Sequence, residues 1–134
     1  YSKIGIIRNF TDTNFYLNDF LNFDLVWNTG IGFGFLSTDS SLIYNLITGI
    51  ICIVIMFLIY LIAKSKTSDK ILFSMILGGA MGNVYDRLTY FAVPDFIDFH
   101  IGSIHWFTFN FADIFITLGI FAMVIKEFLL KKNT

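Results

Sequence analysis

LIYNLITGIICIVIMFLIYLIA, residues 42–63, runs for 22 residues without a formal charge. At about 1.5 Å per residue a helix of that length reaches roughly 33 Å, enough to cross a hydrocarbon core of about 30 Å. Just upstream, STDSS at 37–41 supplies N-cap candidates. The whole composition points the same way. Of 134 residues 56% are hydrophobic and 14% charged, and the mean hydropathy is +0.73. Soluble domains average about 45–50% apolar and about 25% charged residues. The implied fold class is mainly α, a polytopic transmembrane helix bundle forming a single membrane domain. A net charge of −1 offers no basic face for nucleic acid. The lone cysteine, Cys52, excludes an internal disulfide and a cysteine-based zinc site, and its place in the apolar run marks a packing residue.

Downstream of this run, KSKTSDK at 64–70 reads as a polar loop, and two further spans follow at 71–91 and 108–130. Gly78 and Gly82 stand in a GxxxG arrangement, which lets helices approach closely in lipid. Asn83 and Arg87 share a helical face by their i, i+4 spacing. Lysines 64, 66, 70, 126, 131 and 132 all fall at one end of the spans, which the positive-inside rule makes cytoplasmic, the C-terminus with it. Residues 1–36 and the connection at 92–107 then face outward, the latter as a loop or flap. Trp27, Tyr90, Trp106 and Phe107 settle near the outer boundary.

Upstream, Phe20–Trp27 partly alternates apolar and polar residues, predicting a short half-buried strand in an extracytoplasmic segment at 1–36. Glycines 30, 32 and 34 allow tight turns and close approach of another chain, and fit an ordinary turn into a helix equally well. The sequence opens at Tyr1 with no signal-peptide pattern. An outward N-terminus leads to the expectation of a first helix missing upstream.

The polar residues between Gly78 and Asp113 carry the chemistry. Ionisable groups at the ends of lipid-compatible segments are expensive and suggest function by default. Asp113 lies a few residues into the third span, with Asn110 three residues earlier on the same face, able to orient its carboxylate. The plainer alternative is an Asp that caps or packs the helix, paired with Arg87. Asp95 follows Pro94, which has no N–H and breaks a helical continuation, so a loop can fold Asp95 back over the start of the third helix. Two carboxylates about 4 Å apart repel by roughly 4 kcal/mol at an effective dielectric of about 20. Such a pair holds one proton at neutral pH, so one member takes a proton from water while the other polarises a carbonyl. Local sequence leaves Asp98 as a competitor for Asp95: the two share a face in a helix and lie on opposite faces in a strand. His100 and His105, with Asp98, invite a metal reading, but interfacial histidines are more often hydrogen-bonded structural groups, and no metal or cofactor is expected.

Four motifs, in order, resemble the lipoprotein signal peptidase (signal peptidase II) family of bacterial inner-membrane aspartyl proteases. They are WNTGIGFGFL at 27–36, GGAMGNVYDR at 78–87, VPDFIDF at 93–99 and FNFAD at 109–113. The resemblance implies a catalytic pair of Asp95 and Asp113, deciding against Asp98. It implies that Asn28, Gly30, Asn83, Arg87 and Asn110 line the site and position substrate. The implied substrate is a prolipoprotein with a diacylglyceryl-modified cysteine, cut immediately before that cysteine by a monomeric multi-pass enzyme of the inner membrane. The active site would face the extracytoplasmic side, and a globomycin-type cyclic peptide would occupy it. Residues 1–36 and 95–107 would form a small β-rich extracytoplasmic platform and flap.

Three departures stand out. The family has four spans and this chain shows three, lacking the first helix. Pro94 replaces a small β-branched residue, and glycines 32 and 34 replace bulkier ones. Two rival classes remain open on the residues alone. One is a transporter or proton-relay subunit with Asp86, Arg87 and Asp113 along its path, although no internal repeat is visible. The other is a non-catalytic membrane scaffold using the GxxxG face.

Overall fold

The uncharged run folds into one helix, α2 (Ser41–Lys64), after a short first helix, α1 (Ser2–Asn9), and two strands, β1 (Phe15–Tyr16) and β2 (Leu21–Asn28). The computed structural model describes residues 2–9, 15–31, 33, 36–37 and 39–132. The Ser40 carbonyl accepts the first helical bond of α2 from the Tyr44 amide at 2.9 Å, which puts Ser40, within the serine cluster, at the N-cap position. Only 17% of the most apolar stretch of α2 is buried within the protein. A core helix of a soluble protein would be mostly covered. Among the described residues α2 alone is long and apolar enough, by length and composition, to cross a membrane. The helices at the other two expected spans, α3 (Thr67–Tyr90) and α4 (Phe111–Lys132), are long enough but carry more charge.

α3 begins earlier than expected, because most of the KSKTSDK segment is its first turn rather than a loop. The Lys66 carbonyl takes the amides of Asp69 and Lys70 at 3.0 and 2.9 Å, and Asp69 complements the helix dipole. α3 ends where Phe91 adopts a left-handed φ of 57° and donates its amide to the Arg87 carbonyl at 3.1 Å. That is an αL cap, and Pro94 soon after suits a chain that cannot continue as helix.

Two more strands follow, β3 (Val93–Ile101) and β4 (Ile104–Phe109). The antiparallel sheet has the order β1-β2-β3-β4. Three expected segments take a more definite form here. Residues 92–107, expected as a loop or flap, form most of a β-hairpin, because Gly102, at φ 61°, opens a two-residue turn between the paired Ile101 and Ile104. The last span, expected at 108–130, starts at Phe111 as α4, since Thr108 and Phe109 belong to β4. The segment 1–36, expected to be β-rich, also carries the helix at residues 2–9. The half-buried strand expected at 20–27 is β2, and Gly32 and Gly34 lie outside the described residues.

The chain divides into two compact units, Tyr1–Ile47 with Tyr85–Asn110, and Thr48–Val84 with Phe111–Thr134. In the first, β3 lies at the centre with Phe96 1% exposed. In the second, α3 and α4 meet closely at glycines. A Cβ on Gly79 would lie 2.5 Å from the Ala112 carbonyl oxygen and 2.8 Å from Ile116 Cγ1, while one on Gly78 would meet nothing within 4 Å. The close approach therefore uses Gly79, with Gly82 beside Ala112, and not the Gly78–Gly82 pair of the GxxxG reading.

Candidate active site

Asp95 sits in β3 opposite Val26 of β2 and is 1% exposed. A buried carboxylate is costly unless hydrogen-bonded. Two side-chain amides answer that demand: Asn28 Nδ2 donates to Oδ2 at 2.9 Å, and Asn110 Nδ2 donates to Oδ1 at 2.7 Å. Asn28 is itself fixed, because its Nδ2 also reaches the Ile31 carbonyl at 2.8 Å and its Oδ1 accepts the Gly30 amide at 2.8 Å. Gly30 thus joins the site through its backbone, holding Asn28 in place. Asn110 is fully buried and stands immediately before α4.

Strand geometry separates Asp95 from Asp98. Three residues apart on β3, they lie on opposite faces of the sheet. Their partners differ accordingly, since Asp98 meets His105 and His100 while Asp95 meets asparagines. A cleft of about 250 Å³ opens on Asp95 and Asn28, with walls that include Trp27, Phe33, Trp106 and Phe107. Trp27 also packs on Tyr90, ring centroids 5.8 Å apart.

In the second unit Asp113 occupies the first turn of α4, where the helix dipole favours a negative charge, and is 4% exposed. Asn83 Nδ2 of α3 donates to its Oδ1 at 2.8 Å. The close packing at Gly79 and Gly82 brings these two helices together one turn from that bond.

Arg87 belongs to neither hydrogen-bonded group. Its guanidinium lies 5.4 Å from the centroid of the Tyr44 ring, and the Tyr44 hydroxyl donates to the Arg87 carbonyl at 2.9 Å. One guanidinium nitrogen, Nη1, is buried without a hydrogen-bond partner. Asp86, next to it, is ion-paired with Lys3 of α1. Sequence reasoning missed both Tyr44 and Lys3, because an isolated tyrosine in an apolar helix and a lysine in a mixed segment carry no pattern. Asp98, His100 and His105, a possible trio on the sequence, are brought together by the hairpin.

The sequence profile of the family described as signal peptidase (SPase) II matches residues 1–129. The chain belongs to the signal peptidase II family. It is 49% identical over 117 residues to the lipoprotein signal peptidase of Pelagibacter ubique, covering 87% of this chain and 70% of that protein. The lipoprotein signal peptidase of Francisella tularensis subsp. novicida is 41% identical over 125 residues, covering 88% and 76%. A bacterial membrane enzyme solved by the in meso method at 2.3 Å resolution shares the fold with a TM-score of 0.77 and 30% identity, over 99% of this chain and 80% of that one. A second such structure, at 1.9 Å, matches with a TM-score of 0.71 and 28% identity. The family resemblance carried by the four motifs is thereby shown, and with it a lipoprotein signal peptidase function. The architecture is correspondingly that of a membrane enzyme, mainly helical with a small antiparallel sheet.

Proposed function

We propose that this signal peptidase II is an aspartyl endopeptidase whose catalytic pair is Asp95 and Asp113. It removes the signal peptide from diacylglyceryl-modified prolipoproteins, cutting immediately before the lipidated cysteine. One carboxylate takes a proton from water as the water oxygen bonds to the scissile carbonyl carbon. The protonated partner donates a hydrogen bond to the carbonyl oxygen. Collapse of the tetrahedral intermediate breaks the C–N bond, and the leaving nitrogen departs with a proton. No covalent enzyme intermediate, metal or organic cofactor enters these steps.

The observation that carries this reading is that each carboxylate is buried and gripped by side-chain amides within its own unit. Asp95 is held by Asn28 and Asn110, and Asp113 by Asn83. Amide donors orient a carboxylate without neutralising it, as a general base requires. Asn110 directly precedes the helix whose first turn bears Asp113. Supporting roles fall to Gly30, which fixes Asn28, and to Arg87, whose uncommitted Nη1 offers a donor to a substrate carbonyl. The aromatic walls beside Asp95 suit an apolar, lipid-bearing segment, and a globomycin-type cyclic peptide would compete for the same cleft.

The lysine distribution supports an inner-membrane enzyme with a cytoplasmic C-terminus and an outward active site, and the reading takes it to work as a monomer. The test is mass spectrometry of a lipidated precursor incubated with the full-length protein. A released peptide ending just before the modified cysteine is the expected result, and its absence overturns the reading.

A further inference from the structure

Three side chains on the β3–β4 hairpin, Asp98, His100 and His105, converge at a cluster that supplies no group to the hydrolytic steps. Asp98 and His100 are two residues apart on β3 and so share a face. His105 is the direct partner of His100 on β4. The ladder steps from Phe99↔Phe107 to His100↔His105, which leaves Trp106 as an extra residue on β4. Such a β-bulge re-aims side chains. Without it Trp106 would stand opposite His100; with it, His105 turns to the face of Asp98.

His105 Nδ1 lies 2.6 Å from Asp98 Oδ2, and His100 Nδ1 lies 3.5 Å from the same oxygen. One ligand atom from each of the three residues falls within 4.8 Å of the others, and the two imidazoles stack with centroids 5.3 Å apart.

A structural hydrogen bond accounts for the His105–Asp98 contact alone. His100 is 4% exposed, yet its Nδ1 has no hydrogen-bond partner. Asn22, opposite Asp98 in the β2–β3 ladder, also has a buried side-chain oxygen without a partner. Buried polar atoms are nearly always satisfied. An orphaned His100 Nδ1 3.5 Å from Asp98 Oδ2, and an orphaned Oδ1 on the residue paired with Asp98, have a common remedy in a cation that accepts lone pairs from each.

We propose that Asp98, His100 and His105, with Asn22 alongside, bind a divalent transition metal of the zinc class. Two imidazoles and one carboxylate form a donor set suited to zinc and its neighbours, whereas magnesium and calcium favour oxygen ligands alone. Tetrahedral bonds of about 2.0–2.2 Å set ligand atoms roughly 3.4 Å apart. The Asp98–His105 contact therefore opens slightly and the widest separation closes. The His105 side chain is 60% exposed and has room for that adjustment. Asp98 and His100 lie on the face of β3 opposite Asp95, while His105 also borders the cleft that opens on Asp95, so the metal staples the hairpin that carries Asp95 without touching its carboxylate.

Chelator-treated full-length protein in detergent tests this, titrated calorimetrically with Zn²⁺ and by visible absorption with Co²⁺. The expected result is one metal per chain, with His105→Ala weakening binding by about 100-fold or more, because even outer-shell partners are worth roughly 10–100-fold. His105→Ala alters an exposed side chain, so loss of binding there is not a loss of folding. His100→Ala should weaken binding likewise. Absence of saturable binding in the unsubstituted protein, or unchanged affinity in His105→Ala, overturns the proposal. Precursor cleavage is not the readout, so this site and the peptidase reading fail separately.

Discussion

The side-chain amide of Asn110 donates to Oδ1 of Asp95 across 2.7 Å, and neither residue is more than 1% exposed. On the other carboxylate oxygen Asn28 does the same at 2.9 Å. Hydrogen bonds to a charged acceptor are worth about 1.5–3 kcal/mol each. Asn110→Ala is therefore expected to slow cleavage of a lipidated precursor by about 10–100-fold, with a smaller change in KM, because it frees the rotation of Asp95. Equal kcat in the variant and the parent would show that the amide does not position the carboxylate.

Helix contact in the second unit depends on one glycine more than its neighbours. Gly79→Ala sets a Cβ 2.5 Å from the backbone carbonyl of Ala112, which cannot swing aside. Overpacking of this kind costs about 1–3 kcal/mol. Gly78→Ala meets open space and Gly82→Ala an ordinary contact at 3.8 Å. Thermal unfolding in detergent should lower Tm for the Gly79 variant alone; a larger drop for Gly78→Ala would refute the packing.

Lys3 and Asp86 form an ion pair with side chains 15% and 6% exposed. Removing one partner from a buried pair strands the other charge, at about 3–5 kcal/mol. Lys3→Met is expected to destabilise markedly, and the double variant with Asp86→Asn to recover much of the loss. A double-mutant cycle by chemical denaturation reads the coupling, and purely additive effects would rule the pair out.

Arg87→Lys keeps the charge but loses the planar group over Tyr44. Stacked cations over a desolvated ring contribute about 2 kcal/mol. The variant should be less stable, and Tyr44→Phe should also lose the hydroxyl bond to the Arg87 carbonyl. Stability indistinguishable from the parent in both would contradict the contact.

How much of this was legible in the sequence varied by element. α2 was plain, because 22 uncharged residues admit few other readings. The hairpin is written in VPDFIDFHI and IHWFTF, which flank Gly102-Ser103, a two-residue turn signal, but Pro94 near its start argues against an interior strand. Once 93–101 is a strand, period-two alternation separates Asp95 from Asp98, which local reasoning had left open. Gly78 and Gly79 could not be told apart because the rotation of α3 about its axis is set by packing against α4 rather than by its own residues. The amides around Asp95 come from positions 67 and 15 residues away in sequence, a proximity that only the sheet and the start of α4 create.

The most direct measurement is the rate at which Asp95→Asn and Asp113→Asn proteins, each in full-length form, release signal peptide from a diacylglyceryl-modified precursor. Asparagine preserves shape but cannot take a proton from water. The catalytic pair predicts a loss of about 10²–10⁴-fold or more in each variant, with precursor binding retained. Cleavage at the parent rate by either variant would contradict it.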